Sequence, residues 1–200
     1  IEMVVFGITG GSGSGKTSVS KMLEKLGVHI IDTDVIAHEI VEPNSDCLNE
    51  LVDYFGDSIL NDDKTLNRKK LASIAFSDKQ KTEALINITH KYIKAEVVKD
   101  INTTDAELVG IDGAVIIGSN VEPLCEFIVS VIADKQSRIT RIKTRDNITD
   151  EQAIQRINAQ NDDEFYKENS MYIIYNNGDI AQLESDVVGL FNKIKGNSFE

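Results

Sequence analysis

The sequence predicts an α/β fold in three layers, a parallel sheet with helices on both faces. Three observations predict it. Short apolar runs at 4–8, 28–31, 108–111, 127–132 and 171–175 have the length and residue types of strands. Stretches of helical spacing separate the strands, the alternation that lays them side by side in parallel. Finally, 35–105 carries almost no strand pattern. Roughly seventy residues are too many for a simple crossover. The block therefore reads as a helical insert, a substrate lobe, in a core formed by 1–34 and 106–200.

The first run (Val4, Val5, Phe6, Ile8) ends in a glycine-rich turn that opens directly into a helix. Within it Gly10, Gly15, Lys16 and Thr17 fit G-x-x-x-x-G-K-[ST], the phosphate loop, and Gly11 and Gly13 add freedom. Glycines let backbone N–H groups turn inward around phosphate oxygens, and the following helix adds the positive end of its dipole. Lys16 offers a point charge to the β- and γ-phosphates, and the Thr17 hydroxyl offers a ligand to Mg²⁺. The helix reads Val19, Met22, Leu23, Leu26, a one-sided stripe stopped by Gly27. The chain is expected to bind a nucleoside triphosphate.

The second strand ends in Asp32-Thr33-Asp34. On an extended backbone both carboxylates point the same way. One then suits a general base and the other a metal-holding or orienting group; the alternative is that Asp34 caps a helix beginning at Val35. Leu48, Leu51, Val52 and Phe55 form a helical stripe closed by Gly56, Leu71, Ile74 and Ala75 belong to another helix, and a longer one covers 80–101. The third strand ends in Asp112, placed like the metal-binding carboxylate of a Walker B strand, or an ordinary turn residue. After the fourth strand, Arg138, Arg141 and Arg145 share one helical face. They read either as a lid over phosphates, at about 135–165, or as a solvated face paired with acids. Thr149 and Gln152 form a capping box for a helix through Gln160. The last strand leads to an Asn176-Asn177-Gly178 turn, and Ile180, Leu183, Val187, Phe191 and Ile194 mark a closing helix. The phosphate loop, Asp32, Asp34 and Asp112 are all expected at the carboxyl ends of the strands.

Composition narrows the partners. The 200 residues, 27% charged and 41% hydrophobic, suit one domain with an insert, and Met3 reads as the natural start after Ile1 and Glu2. A net charge of −12 argues against a duplex nucleic-acid partner. No apolar run is long enough for a bilayer, and no signal-peptide pattern opens the chain. Cys47 and Cys125 lack metal or redox spacing and read as free cytoplasmic thiols.

The chain resembles the dephospho-CoA kinase family over nearly its whole length, from Val4 to Ile194. The resemblance is carried by GITGGSGSGKT (from Gly7) together with IIDTDVIAHEIVEP (from Ile30), where the family reads like I-D-A-D-x-I-A-R-x-V. TLNRKKL with Arg68, His90 in ITHKYI, and the run holding Arg141, Arg145, Arg156 and Gln160 add to it, as does the Asn-Asn-Gly turn. The resemblance implies a phosphate-loop kinase fold with a helical acceptor lobe and a helical lid. It implies ATP-dependent phosphorylation of the ribose 3′-hydroxyl of dephospho-CoA, with Mg²⁺, in the cytoplasm. Asp34 would be the general base beside Asp32, and Lys16 and Arg141 would act on the transferred phosphoryl group. Gly11, Ser12, Gly13, Ser14, Gly15, Lys16, Thr17, Ser18, Arg145 and Asn177 would hold the nucleotide, with Thr17 and Asp32 at the metal. Asp34, His38, Arg68, His90 and Asp112 would face the acceptor. Neither a nucleic-acid nor a membrane partner is implied, and no oligomeric state is assigned.

Two departures from the family pattern stand out. His38 replaces the arginine of I-A-R, exchanging a permanent cation for a titrating one. The usual P-L-L-x-E is here Ala114-Val115-Ile116-Ile117-Gly118, without proline or acid. The runner-up is another phosphate-loop kinase acting on a nucleoside, nucleotide or small alcohol. A GTPase-like switch is disfavoured, because N-K-x-D is absent and the D-x-x-G at Asp53 lies on a helical stripe.

Overall fold

The computed structural model describes residues 3–196, so Ile1 and Glu2, ahead of the expected start, lie outside the described residues. The chain divides into two compact units, one holding everything up to Ile31 and from Thr104 onward, the other Asp32–Thr103.

The first unit is built on a sheet of strands β1 (Val4–Thr9), β2 (His29–Asp32), β3 (Leu108–Asp112), β4 (Phe127–Ile132) and β5 (Tyr172–Tyr175), in the order β2-β3-β1-β4-β5. All the strands run parallel. Register places Ile8 of β1 opposite Asp112 of β3 on one side and Val129 of β4 on the other. Strand order reverses at β1, and in such sheets the crevice for ligands opens at the carboxyl ends beside that strand.

Alternation along the strands builds the layers. Val4, Phe6 and Ile8, with Phe127, Val129 and Val131, bury against α1 (Lys16–Lys25) and the C-terminal α9 (Ile180–Lys195), which contribute Val19, Leu23, Val187 and Leu190. On the opposite face the Ser130 hydroxyl shares a hydrogen bond of 2.6 Å with Ser170, just past α8 (Asp163–Glu168), and Tyr166 of that helix is buried. Between β4 and β5 stand α6 (Lys135–Asp146) and α7 (Asp150–Asn158), packed through Ile139, Ile142, Ala153 and Ile157. Thr149 starts α7 with both halves of a capping box formed.

The second unit is mainly helical, built from α2 (Thr33–Glu39), α3 (Asp46–Phe55), α4 (Arg68–Ala75) and α5 (Lys79–Thr103). Ser45 caps α3 and Asn67 caps α4, each accepting a backbone N–H of the first turn. Its own core gathers Ile40, Cys47, Leu51, Ile59, Leu71 and Ile88. Asp32, where this unit begins, is both the last residue of β2 and the N-cap of α2. Among the described residues no helix is long and apolar enough to cross a membrane.

Candidate active site

The site begins where β1 runs out. The chain leaves Thr9, turns through Gly10–Gly15 and enters α1 at Lys16. Gly15 is the helix cap and sits at φ +99°, a left-handed conformation that suits glycine. A Cβ there would also stand 2.1 Å from Asn176 Nδ2. The first N–H groups of α1, those of Lys16 and Thr17, have no carbonyl within the helix to bond, and the helix dipole makes that end attractive to anions.

The loop's carbonyls are held from outside. Arg138 Nε donates to Ser12 O at 2.9 Å, and Arg141 Nη1 donates to Gly13 O and Ser14 O, each at 3.2 Å. Asn176 Nδ2 donates to Ser14 O at 2.8 Å, and Arg141 Nη2 ties back to Asn176 O at 3.0 Å. In a planar trans peptide the C=O of one residue opposes the N–H of the next. Pulling the Ser12 and Ser14 carbonyls toward α6 and β5 therefore turns the N–H groups of Gly13 and Gly15 the other way. That is the inward set of donors a polyphosphate requires.

Lys16 forms an ion pair with Asp112, at the end of the neighbouring strand β3. Both side chains are shielded, at 13% and 4% exposure, so water weakens the pair little. The Thr17 and Ser18 side chains stand at the exposed start of α1.

The expected arginine row separates. Arg138 and Arg141 reach the loop, whereas Arg145 binds Asp146 with Nε at 2.7 Å and Nη2 at 2.8 Å. Arg156 joins the same carboxylate. Hydrogen bonds from Arg145, with the charge of both guanidiniums, bring the Asp146 carboxyl down to about 2. Asn177 Oδ1 accepts the Asp134 N–H at 2.8 Å, so in the Asn-Asn-Gly turn it is Asn176 that contacts the loop. Gln160 and Asn176 were not among the expected site residues, and Arg138 was expected only as part of the lid face. Arg138 shared the face of Arg141, and Asn176 adjoined Asn177, but neither signal said which would reach the loop.

Within the helical unit, Asp32 is the N-cap of α2: its Oδ1 accepts the N–H groups of Asp34 (2.9 Å) and Val35 (3.1 Å). The capping residue is thus Asp32 rather than Asp34, and Asp34 lies inside the helix instead of on an extended backbone. Asp34 is exposed in the first turn, and His38 Nδ1 donates to its backbone carbonyl at 2.7 Å. Arg68 and His90 line one pocket of about 330 Å³ with Ile40, Leu71, Phe76 and Ile93. Burial holds the His90 imidazole below its ordinary value.

A parallel sheet reversing at β1, with a phosphate loop clasped at that point, defines a nucleotide-binding protein of the phosphate-loop kinase fold. The comparisons narrow the class. The profile of the CoaE dephospho-CoA kinase family matches residues 4–182, so the chain belongs to the dephospho-CoA kinase family. It is 34% identical over 191 residues to the dephospho-CoA kinase of Lactobacillus johnsonii, covering 94% of this chain and 96% of that one. Its counterpart from Listeria monocytogenes is likewise 34% identical, over 194 residues, covering 96% and 97%. Among solved structures, the dephospho-CoA kinase of Campylobacter jejuni matches at a TM-score of 0.68 and 26% identity, covering 96% of this chain and 98% of that one. A crystal structure from Thermus thermophilus reaches 0.83 over the same shares at 24% identity, a likeness of fold alone.

Proposed function

We propose that the protein transfers the terminal phosphoryl group of ATP to the ribose 3′-hydroxyl of dephospho-CoA, giving CoA and ADP in the last step of coenzyme A synthesis. The observation that carries this reading is the shaped phosphate loop, with Lys16 set against Asp112, in a chain of this family. Gly11 to Ser18 cradle the nucleotide phosphates. Lys16 then meets charge that spreads over the transferred group, where positioning and electrostatics do most of the catalytic work. Arg141 already spends both terminal nitrogens on loop and turn carbonyls, so it contributes a fixed positive charge beside the phosphates.

Asp34 is the proposed general base, an exposed carboxylate able to accept the ribose hydroxyl proton. Asp32 orients the helix that carries it. The insert takes the acceptor: Arg68 offers a cation for its phosphates, and the apolar pocket shared with His90 suits its uncharged arm. His38 stands where the family pattern has arginine, and Asp112, which the resemblance places toward the acceptor, is held by Lys16.

Mg²⁺ is proposed as the companion ion, supplying neutralisation of phosphate charge when bound. The first unit's own donors suit a hard cation, because the Thr17 hydroxyl and the Asp112 carboxylate offer oxygen, and the resemblance adds Asp32 as a further oxygen donor. We place the enzyme in the cytoplasm. Its two thiols are unpaired, and burial raises Cys47 to about 11 and Cys125 to about 12, which keeps both as unreactive thiols at neutral pH.

ADP release with Mg-ATP, measured with dephospho-CoA and with a panel of nucleosides and nucleoside monophosphates, tests the proposal. Fast turnover with dephospho-CoA alone is expected. Faster turnover with another acceptor would keep the kinase and overturn the substrate, with His38 and Gly118 the first positions to examine.

A further inference from the structure

Arg138 has only 5% of its surface exposed, an unusual place for a guanidinium. Its Nε donates to Ser12 O at 2.9 Å, and its Nη2 donates to Gln160 Oε1 at 3.2 Å. The same Gln160 oxygen accepts the Ser12 N–H at 2.7 Å. The N–H and the C=O of one loop residue are therefore both fixed, by two side chains that also hold each other. The guanidinium lies close against the loop: a Cβ on Gly11 would stand 2.4 Å from Nη2 and 2.9 Å from Cζ.

The charge balance is as telling as the geometry. A buried cation ordinarily needs a close carboxylate, yet the Asp163 carboxylate stands 3.8 Å from Nη1 and is 44% exposed. The shorter bonds go to neutral carbonyl oxygens, so positive charge remains beside the loop. Lysine lacks the planar fork that spans Ser12 and Gln160 together.

We propose that Arg138, with Gln160, is a positioning residue for the nucleotide. It fixes Ser12 through the peptide groups on both sides so that the loop's N–H groups are set for phosphate, and it acts through the loop without touching the ligand. The proposal rests on the reading of Gly10 to Thr17 as the nucleotide loop. It separates two uses of arginine on one helix, since Arg141 braces Gly13 and Ser14 while Arg138 governs Ser12.

The test compares steady-state kinetics and nucleotide binding for Arg138→Lys, Gln160→Leu and Gln160→Glu with the unaltered chain. Losing a hydrogen bond from a charged donor costs about tenfold or more in binding. Arg138→Lys and Gln160→Leu are each expected to raise KM for ATP by about that factor, with kcat at saturating ATP falling far less. KM for the acceptor should hold, and Gln160→Glu, whose carboxylate can accept both bonds, should recover most of the loss. Combining Arg138→Lys with Gln160→Leu should cost less than the two single losses together, because both residues hold Ser12 and bond each other. An unmoved KM for ATP in both single variants would overturn the proposal alone. So would an equal rise in KM for ATP and acceptor with a lowered melting midpoint, the mark of general loosening. Failure of the unaltered chain to bind ATP would instead remove the phosphate-loop reading, and this one with it.

Discussion

Asp32 and Asp34 stand two apart, and the structure gives them unlike tasks. The chain turns into α2 at Thr33, so the Asp32 carboxylate closes the helix end while Asp34 is an exposed residue of the first turn. Asp32→Ala is expected to lower folding stability by about 1 kcal/mol, the usual cost of a lost cap, read from the urea midpoint. Asp34→Asn should leave that midpoint within about 0.5 kcal/mol. If Asp34 is the base, the same change lowers kcat by about a hundredfold or more with ATP binding retained. Joint loss of turnover and ATP affinity in Asp34→Asn would make the residue structural. The sequence displayed the pair and the possibility of a cap, but not which residue would cap, because that depends on where helical dihedrals begin. The arginine row met the same limit. Spacing placed three guanidiniums on one face; partners more than a hundred positions away, Ser12 to Ser14, decided which of them reach the loop.

Elements whose signals are local were legible, and those defined by distant packing were not. The loop into α1 and the Thr149–Gln152 box into α7 each carry their start signal within a few residues. Helix α8 escaped notice because six residues cannot show an apolar period, and only its Asp162 cap marks it. Helix α5 was legible as a long helix, though not for the pocket it shares with α4 through His90 and Arg68. That pocket gives the insert a pH response. His90 is held below its ordinary value of 6.5 by burial, so the folded state binds its proton less readily than the unfolded chain does. Its neutral form contributes fully above 6.5, and that stability is lost as pH falls from 6.5 toward the lowered folded value. The urea midpoint should drop between about pH 7.5 and pH 5.5, and drop less in His90→Gln. Equal pH dependence in both proteins would show that burial of His90 has no energetic consequence for the fold.

At the scale of the whole molecule, the α/β class was legible because strand and helix periods alternate, while the order β2-β3-β1-β4-β5 was not. Parallel pairing joins strands far apart in sequence, such as β1 with β3 across the entire insert, and no local pattern records it. The lack of strand pattern over 35–105 predicts an insert, and the structure shows that each compact unit has its own core. Val19, Leu23 and Val129 belong to one, Leu51, Ile59 and Ile88 to the other. Separate cores allow each unit to open with its own free energy, so a ligand should slow hydrogen exchange chiefly in the unit that binds it. A non-hydrolysable ATP analogue is expected to protect amides of the loop, α1 and the start of α6. Dephospho-CoA added alone is expected to protect α2, α4 and α5, where Asp34, Arg68 and His90 lie. At about a hundred times its Kd, either ligand should slow exchange through global opening of its unit by roughly a hundredfold. Protection by dephospho-CoA confined to the sheet unit would remove the acceptor role from the insert and leave the phosphate loop's assignment standing.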